Sequence, residues 1–533
     1  MVQRWIGRTI AENDEGQTPL HILSETAGID HEDHSHHVLD HALLLLKQGA
    51  EVNRRDKDKD TPLHLAIRWD WFKLAGIFLE YGADANAVND QGITPFHILS
   101  QSESQHECNV LDLALLLLSH GAEIDKRDNG NQTLLHLAIR RNRFRLAGSL
   151  VEHGADPIAE NNQGMTSLHI LSESGIDNED DVHHVLDLAL LLLKHGAEVN
   201  RRDKDKDTPL HLAIRWNCVK LAAILLEYGA DANAENDQGM APLCVLLKSG
   251  SKHEGNVLDL ALLLLGHGAE VDKRDTGNQT LLHMAIRRNR FGLAGILLEH
   301  GADANADSED NKVMTPLHML LESQVQEEVD VIDHALLFMK HGADVNRRDR
   351  DNETLLHRAI RRNLFNLAEV LIEHGADSVA KNKRGQTPLH ILLEGNIYDG
   401  DVVQNLVPLR VASYSSCRKV EFAHVLLGQP GANLSAKDGL GQTPLHMVSQ
   451  GVYFSQDGVR IAQLFLEHGA DVNVQDNNHA TPLDIASHLG KLEIAALLLH
   501  YNDKGDAKAN QCPTPNRLQL EVANLHGKPE LGA

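Results

Sequence analysis

Histidine is the residue in this chain best suited to chemistry: 34 of its 533 residues carry an imidazole, which can hold a metal, relay a proton or cap a backbone. The densest group is His31, His34, His36, His37 and His41, set among acidic neighbours. Imidazole suits zinc and nickel, so a metal site is conceivable there. The related stretch at 175–184 keeps only His183 and His184, which favours a solvated loop instead. Most other histidines fall at regular intervals. Eleven close a Thr-Pro-Leu-His-like tetrad (His21, His64 and His97 begin the series), and eight precede a Gly-Ala, as His120, His153 and His195 do. That regularity marks them as structural, with side chains expected to tie neighbouring loops together.

Other chemistry is thinly represented. The sequence has no G-x-S-x-G elbow, no phosphate-binding G-x-x-x-x-G-K-[ST] and no H-E-x-x-H. Its five cysteines (Cys108, Cys218, Cys244, Cys417 and Cys512) are scattered without a C-x-x-C pair, so neither a disulfide framework nor a zinc knot is expected. The expectation is a chain that is not an enzyme, with no catalytic residue, cofactor or metal site. Recurrent basic groups are more promising. One series is Arg54 and Arg55, Lys126 and Arg127, Arg201 and Arg202, Lys273 and Arg274, Arg347 and Arg348. A second is Arg68 with Trp69, Arg140 with Arg141, Arg215 with Trp216, Arg287 with Arg288, and Arg361 with Arg362. Arg and Trp are the residue types that dominate protein interfaces.

Positioning these side chains falls to an internal repeat. Thr-Pro-Leu-His or a near variant starts at 18, 61, 94, 133, 166, 208, 241, 280, 315, 354, 387, 443 and 481, which makes thirteen starts. Between them runs L-L-x-x-G-A-[DE]-x-N, as in residues 297–305. Thr is a good helix N-cap through its hydroxyl, and Pro fits the first helical turn. Leu63, Ala66 and Ile67 fall on one helical face. Asp70, Asn142, Asn217, Asn289 and Asn363, with Gly490 in the last repeat, are placed to end that first helix in the left-handed conformation. A second helix follows and ends at a glycine such as Gly82.

On these tetrads, the second-helix motif and the 33-residue spacing (61 to 94, 133 to 166), the sequence resembles the ankyrin repeat family from residue 18 to about 500. The resemblance implies an all-α ankyrin-repeat solenoid of about 13 repeats. Helix–turn–helix units are joined by β-hairpin fingers, and protein partners bind a concave face made of fingers and first helices. Two departures qualify it. Repeats starting at 18, 94, 166, 241, 315 and 387 replace His-x-Ala and carry insertions between their helices, so the working period is a pair of repeats. Residues 49–69 and 196–216 are identical, which marks a duplication of four repeats. The expected layout is an N-terminal edge over 1–17, ten alternating repeats over 18–386, three divergent repeats over 387–501 and a disordered tail over 502–533. Within the tail, a short helix is expected near 518–522.

The basic series then maps to one surface. Fingers supply Arg54, Arg55, Arg201, Arg202, Arg347 and Arg348; first-helix ends supply Arg68, Trp69, Arg140, Arg141, Arg215, Trp216, Arg287, Arg288, Arg361 and Arg362. They would recur roughly 20 Å apart, at about one helix diameter per repeat. Acidic inserts, such as Glu179 to Asp181 and Glu327–Glu328, are expected elsewhere. The competing reading is that the arginines pair with neighbouring acids and stay solvated. The net charge of −26 argues against direct nucleic-acid binding, and no stretch reaches the roughly 20 apolar residues of a membrane span. The sequence therefore points to a monomeric scaffold or adaptor, cytoplasmic or nuclear. Its partner would be a protein with an acidic segment, and a transcription co-regulator is one version. The alternative is the recognition arm of a larger assembly, such as a ubiquitin-ligase adaptor. The start within a repeat suits that alternative, unless Trp5 and Ile6 cover the exposed edge.

Overall fold

The structure is a computed structural model that describes residues 12–26, 35–102, 107–174, 179–249, 254–275, 277–308, 314–322, 328–394, 409–451 and 455–502. Trp5, Ile6, His31, His34, Glu327 and the expected tail beyond residue 502 lie outside it. The described residues form 26 helices, two for each of the thirteen tetrads. They divide into two compact halves, residues 1–276 and 277–533.

Each half has two helical layers. In the N-terminal half the first helices run from Pro19–Thr26 to Pro242–Lys248, and each packs on the next. The second helices, from Ser35–Lys47 to Glu254–Gly266, do the same. In the C-terminal half the series run from Leu281–Arg287 to Pro482–His488 and from Phe291–Glu299 to Leu492–Asn502. A short helix of seven residues is marginal alone, so its stability comes from this stacking of apolar faces. Leu63, Ala66 and Ile67 are fully buried, as are Leu74, Ala75 and Phe78 of the partner helix. No helix among the described residues is long and apolar enough to cross a membrane.

The expected helix terminators are in place. Asp70, Asn142, Asn217, Asn289 and Asn363 have φ between 55° and 61°, and Gly490 has φ 68°. The repeats with insertions differ in the length of their second helices. Second helices of the 61, 133, 208, 280 and 354 repeats have nine residues, such as Phe72–Glu80. Those of the insertion-bearing repeats have 13 to 19, such as Glu179–Lys194 and Leu409–Leu427. Alternation breaks near the end, because the Thr443 repeat also has a 13-residue second helix, Ser455–Glu467.

The fingers depart from the expected β-hairpins. Among the described residues the fingers carry isolated bridge residues at Arg274 and Thr280 and an antiparallel bridge from Arg348 to Thr354, with no regular strand. Tight turns make up the Asp56 finger. At the Asp56 turn the Asp58 and Asp60 amides donate to Asp56 Oδ1, while Asp56 N donates to Asp60 O at 3.0 Å. Successive turns are laced by single backbone bonds, such as Asp90 N to Asp58 O at 3.0 Å. An Asx side chain thus satisfies amides that a ladder would otherwise use.

Candidate protein-binding surface

The tetrad histidines organise this surface from beneath. In the Thr61 repeat the Thr61 N–H donates to His64 Nδ1 at 3.1 Å, and the Thr61 hydroxyl meets the same nitrogen at 2.8 Å. Nδ1 is therefore the acceptor, the ring is neutral, and Nε2 carries the proton. That Nε2 lies 3.1 Å from the Ile93 carbonyl, immediately before the next tetrad. The same link joins His21 to Asp60, His169 to Asp207, His211 to Met240, His283 to Met314, His357 to Gln386, His390 to Gln442 and His446 to Ala480, at 3.0–3.2 Å. At His97, His136 and His318 the Nε2 has no such partner. Burial lowers the imidazole pKa of His21, His97, His211, His357, His390 and His446, and lowers it to about 4 at His64, His136, His169 and His318.

The Thr hydroxyl caps the first helix as expected: at Thr94, Thr133, Thr280, Thr315 and Thr481 it accepts the amide three residues on, while facing the imidazole at the first four and the Asp484 carboxylate at Thr481. One sequence expectation needs correction here. The second set of histidines does not tie loops. His120, His153, His195, His267, His300, His374 and His468 donate from Nδ1 to the carbonyl four residues earlier, capping their own helices at 2.8–2.9 Å. His41 Nδ1 does likewise to His37 O, and among the described residues no group of His, Cys, Asp or Glu is arranged to hold a metal.

All sixteen candidate Arg and Trp residues are exposed, but many of the arginines are already engaged. Arg68 lies 2.6 Å from Asp60, and Arg215 lies 2.6 Å from Asp207. Each of those buried carboxylates also accepts an amide from the following finger, Asn89 or Asn236. Arg361 bridges Glu353 at 2.6 Å and Glu394 at 2.8 Å. Arg54 pairs with Glu12, Arg201 with Glu160 and Arg347 with Asp307, while Arg348 donates to the Lys381 carbonyl. Arg287 and Arg288 also have interactions within the chain. Arg55, Arg140, Arg141, Arg202 and Arg362 have no hydrogen-bond or ion-pair partner among the described residues. Trp69 and Trp216 are 49% and 53% exposed, high for residues of that size.

A spacing of eight marks three of the pairs. Asp60, Asp207 and Glu353 each sit eight residues before the arginine they bind. In the Thr133 repeat that position is Gln132, and Arg140 is left without a partner. This signal was present in the sequence. The pairing of Arg358 with Asp349 and with Glu322 of the preceding repeat was not, because Glu322 becomes its neighbour only through stacking. One open depression of about 530 Å³ lies over Glu51 to Arg55. Such a surface offers charge, hydrogen-bond donors and apolar rings, the ingredients of binding.

Comparison with known proteins agrees. Models described as ankyrin repeats in three copies match residues 33–128, 105–200, 183–236, 247–349 and 409–510, and one described as ankyrin repeats in many copies matches 339–392. Human transient receptor potential cation channel subfamily A member 1 is 29% identical over 245 residues, covering 44% of this chain and 20% of that protein. Human neurogenic locus notch homolog protein 1 is 30% identical over 206 residues, covering 37% and 7%. Human ankyrin repeat and SOCS box protein 16 is 33% identical over 231 residues, covering 43% and 49%. The chain thus spans half or less of each of these relatives. Among solved structures, the ankyrin repeat domain of Bcl-3 aligns with a TM-score of 0.37 at 25% identity, covering 46% of this chain and 99% of that one. On its tetrads, its helix pairs and family matches covering most of its length, the chain belongs to the ankyrin repeat family.

Proposed function

We propose that this chain is a non-catalytic scaffold or adaptor that holds a protein partner on its finger and first-helix surface. The observation that carries the reading is the group of exposed arginines whose side chains form no hydrogen bond or ion pair among the described residues, Arg55, Arg140, Arg141, Arg202 and Arg362, accompanied by exposed Trp69 and Trp216. Exposed arginines already held by Asp or Glu add little net attraction. The unengaged ones can exchange water for a partner's carboxylate, which favours an acidic segment.

The test is a pull-down from the source lysate. Charge reversal of Arg140, Arg141, Arg287 and Arg288 to Glu, in the N-terminal pair, the C-terminal pair and both, is expected to lower partner recovery at least tenfold in one or more variants. Unchanged recovery of every partner in all three variants sinks the reading. A second reading, the recognition arm of a ubiquitin-ligase assembly, is favoured by two relatives. One is ankyrin repeat and SOCS box protein 16; the other is E3 ubiquitin-protein ligase KEG of Arabidopsis thaliana, 25% identical over 281 residues and matched over 16% of its length. Recovery of ligase subunits in the same pull-down would support it.

A further inference from the structure

Granted that the finger and first-helix surface is where the partner binds, the N-terminal half carries that surface twice. Residues 49–69 and 196–216 are identical in sequence, and their main polar bonds correspond, with ion pairs of Arg201 to Glu198 and of Lys206 to Asp237 added at the second copy. Arg68 binds Asp60 and Arg215 binds Asp207, each at 2.6 Å. Asn89 and Asn236 support the two carboxylates at 3.0 and 2.8 Å. Arg54 and Arg201 each place Nε 2.6 Å from a glutamate of the preceding finger. What these bonds leave exposed is also the same: the indole of Trp69 or Trp216, about half exposed, and the guanidinium of Arg55 or Arg202, although Arg202 also acts electrostatically on Glu235 where the first copy has Val88.

We propose that these are two equivalent sites, each taking one copy of the same short, extended acidic segment. An apolar side chain of the segment packs on the indole, and a carboxylate pairs with Arg55 or Arg202. Arg68 and Arg215 are neutralised by Asp60 and Asp207, so the carboxylate is directed to the finger cation. The first helix between indole and finger has seven residues, about 10 Å at 1.5 Å per residue. Extended chain covers that distance in about three residues, which fixes the separation of the two recognition elements. The copies stand four repeats apart, about 40 Å at roughly 10 Å per packed helix. A partner that fills both therefore needs at least about twelve residues between its two motifs.

Titration of the full chain tests this, followed by calorimetry and tryptophan fluorescence. The probe is a capped nine-residue synthetic peptide with one Leu three residues from an Asp-Glu pair. Two sites of equal affinity per chain are expected. Trp69→Ala and Trp216→Ala should each leave one site, and the double variant none, with an unchanged circular dichroism melt as the control for folding. Arg55→Ser with Arg202→Ser, or Asn-Gln in place of the peptide's Asp-Glu, should weaken binding at least tenfold. A tandem peptide with a flexible linker of about 25 residues should bind one to one and at least about a hundredfold tighter. One site in the unaltered chain, two sites surviving the double Trp variant, or no binding of the peptide would each overturn the proposal. If the lysate pull-down still responds to the Arg140, Arg141, Arg287 and Arg288 reversals in those cases, the scaffold reading stands and only the paired sites fall.

Discussion

At the scale of single residues, the tetrad histidine connects a helix cap to the next repeat, and it does so only while neutral. Its Nδ1 must accept from Thr, and its Nε2 must donate onward. Protonation would put a second proton on Nδ1, facing the Thr amide, and place an uncompensated charge in the core. Burial holds His64, His136, His169 and His318 near pKa 4, against about 6.5 in an unfolded chain. The folded state then binds fewer protons than the unfolded state. The stabilisation is fully present above pH 6.5 and is lost as pH falls from 6.5 towards 4. Each of these four groups contributes on the order of 3 kcal/mol across that window, and His21, His97, His211, His357, His390 and His446 shift in the same direction. Asp56 and Asp203 oppose the trend, because burial raises their pKa, to about 6 at Asp203. Two such carboxylates are outnumbered. Urea midpoints followed by circular dichroism should fall steeply between pH 6.5 and 4.5, and His169→Gln should lower the pH 7.5 midpoint while flattening the slope. A midpoint constant from pH 7.5 to 5 would refute this account.

At the scale of the helix, backbone conformation and room for a side chain make separate demands, and two glycines at the same second helix distinguish them. Gly148 lies inside Phe144–Glu152, and a Cβ there would sit 3.7 Å from Leu191 Cδ2, an ordinary contact. Gly154, just past the end of that helix, has φ +91° with nothing within 4 Å of an added Cβ. Gly148→Ala should raise stability by up to about 1 kcal/mol through helix propensity. Gly154→Ala should lower it by about 1 kcal/mol despite the open space, because an L side chain resists that φ. Chemical denaturation of both variants checks the opposite signs. Much at this scale was legible beforehand: Thr and Pro announced where first helices start, and Asn142 or Asn217 where they end, because caps are local. The 13- to 19-residue second helices were not legible, since acidic, His-bearing inserts such as 179–184 read as loop, whereas the helix runs through them into a continuation whose Val185, Leu188, Ala189 and Leu192 are buried. The fingers misled because their amides are satisfied by Asp56 or Asn89 side chains instead of a ladder.

At the scale of the whole molecule, every favourable contact described here joins a repeat to itself or to its neighbour, whether the His64 link, the Asn89–Asp60 bond or the stacking of Pro62–Arg68 on Pro95–Gln101. Stability in such a chain is close to a sum of repeat and nearest-neighbour contributions. For the same reason the state of the arginines was only partly legible. The eight-residue spacing of Asp60 and Arg68 is a sequence signal, whereas Glu322 reaches Arg358 only across a stacked interface. The chain divides into its two compact halves after residue 276, and the last tetrad of the N-terminal half, beginning at Ala241, is the one with neither Thr nor His. Ala241 makes no side-chain cap bond, and Cys244 stands where the imidazole would be. Nearest-neighbour stabilisation and the mutual packing of their seven helix pairs then imply that residues 1–276 fold without the rest. That fragment, expressed alone, should be monomeric and helical and should unfold in one urea transition. Ala241→Thr should raise its stability by about 1 kcal/mol, the usual worth of a hydroxyl N-cap. A fragment that is unfolded by circular dichroism, or one that Ala241→Thr destabilises, would show that the N-terminal repeats depend on something beyond their neighbours.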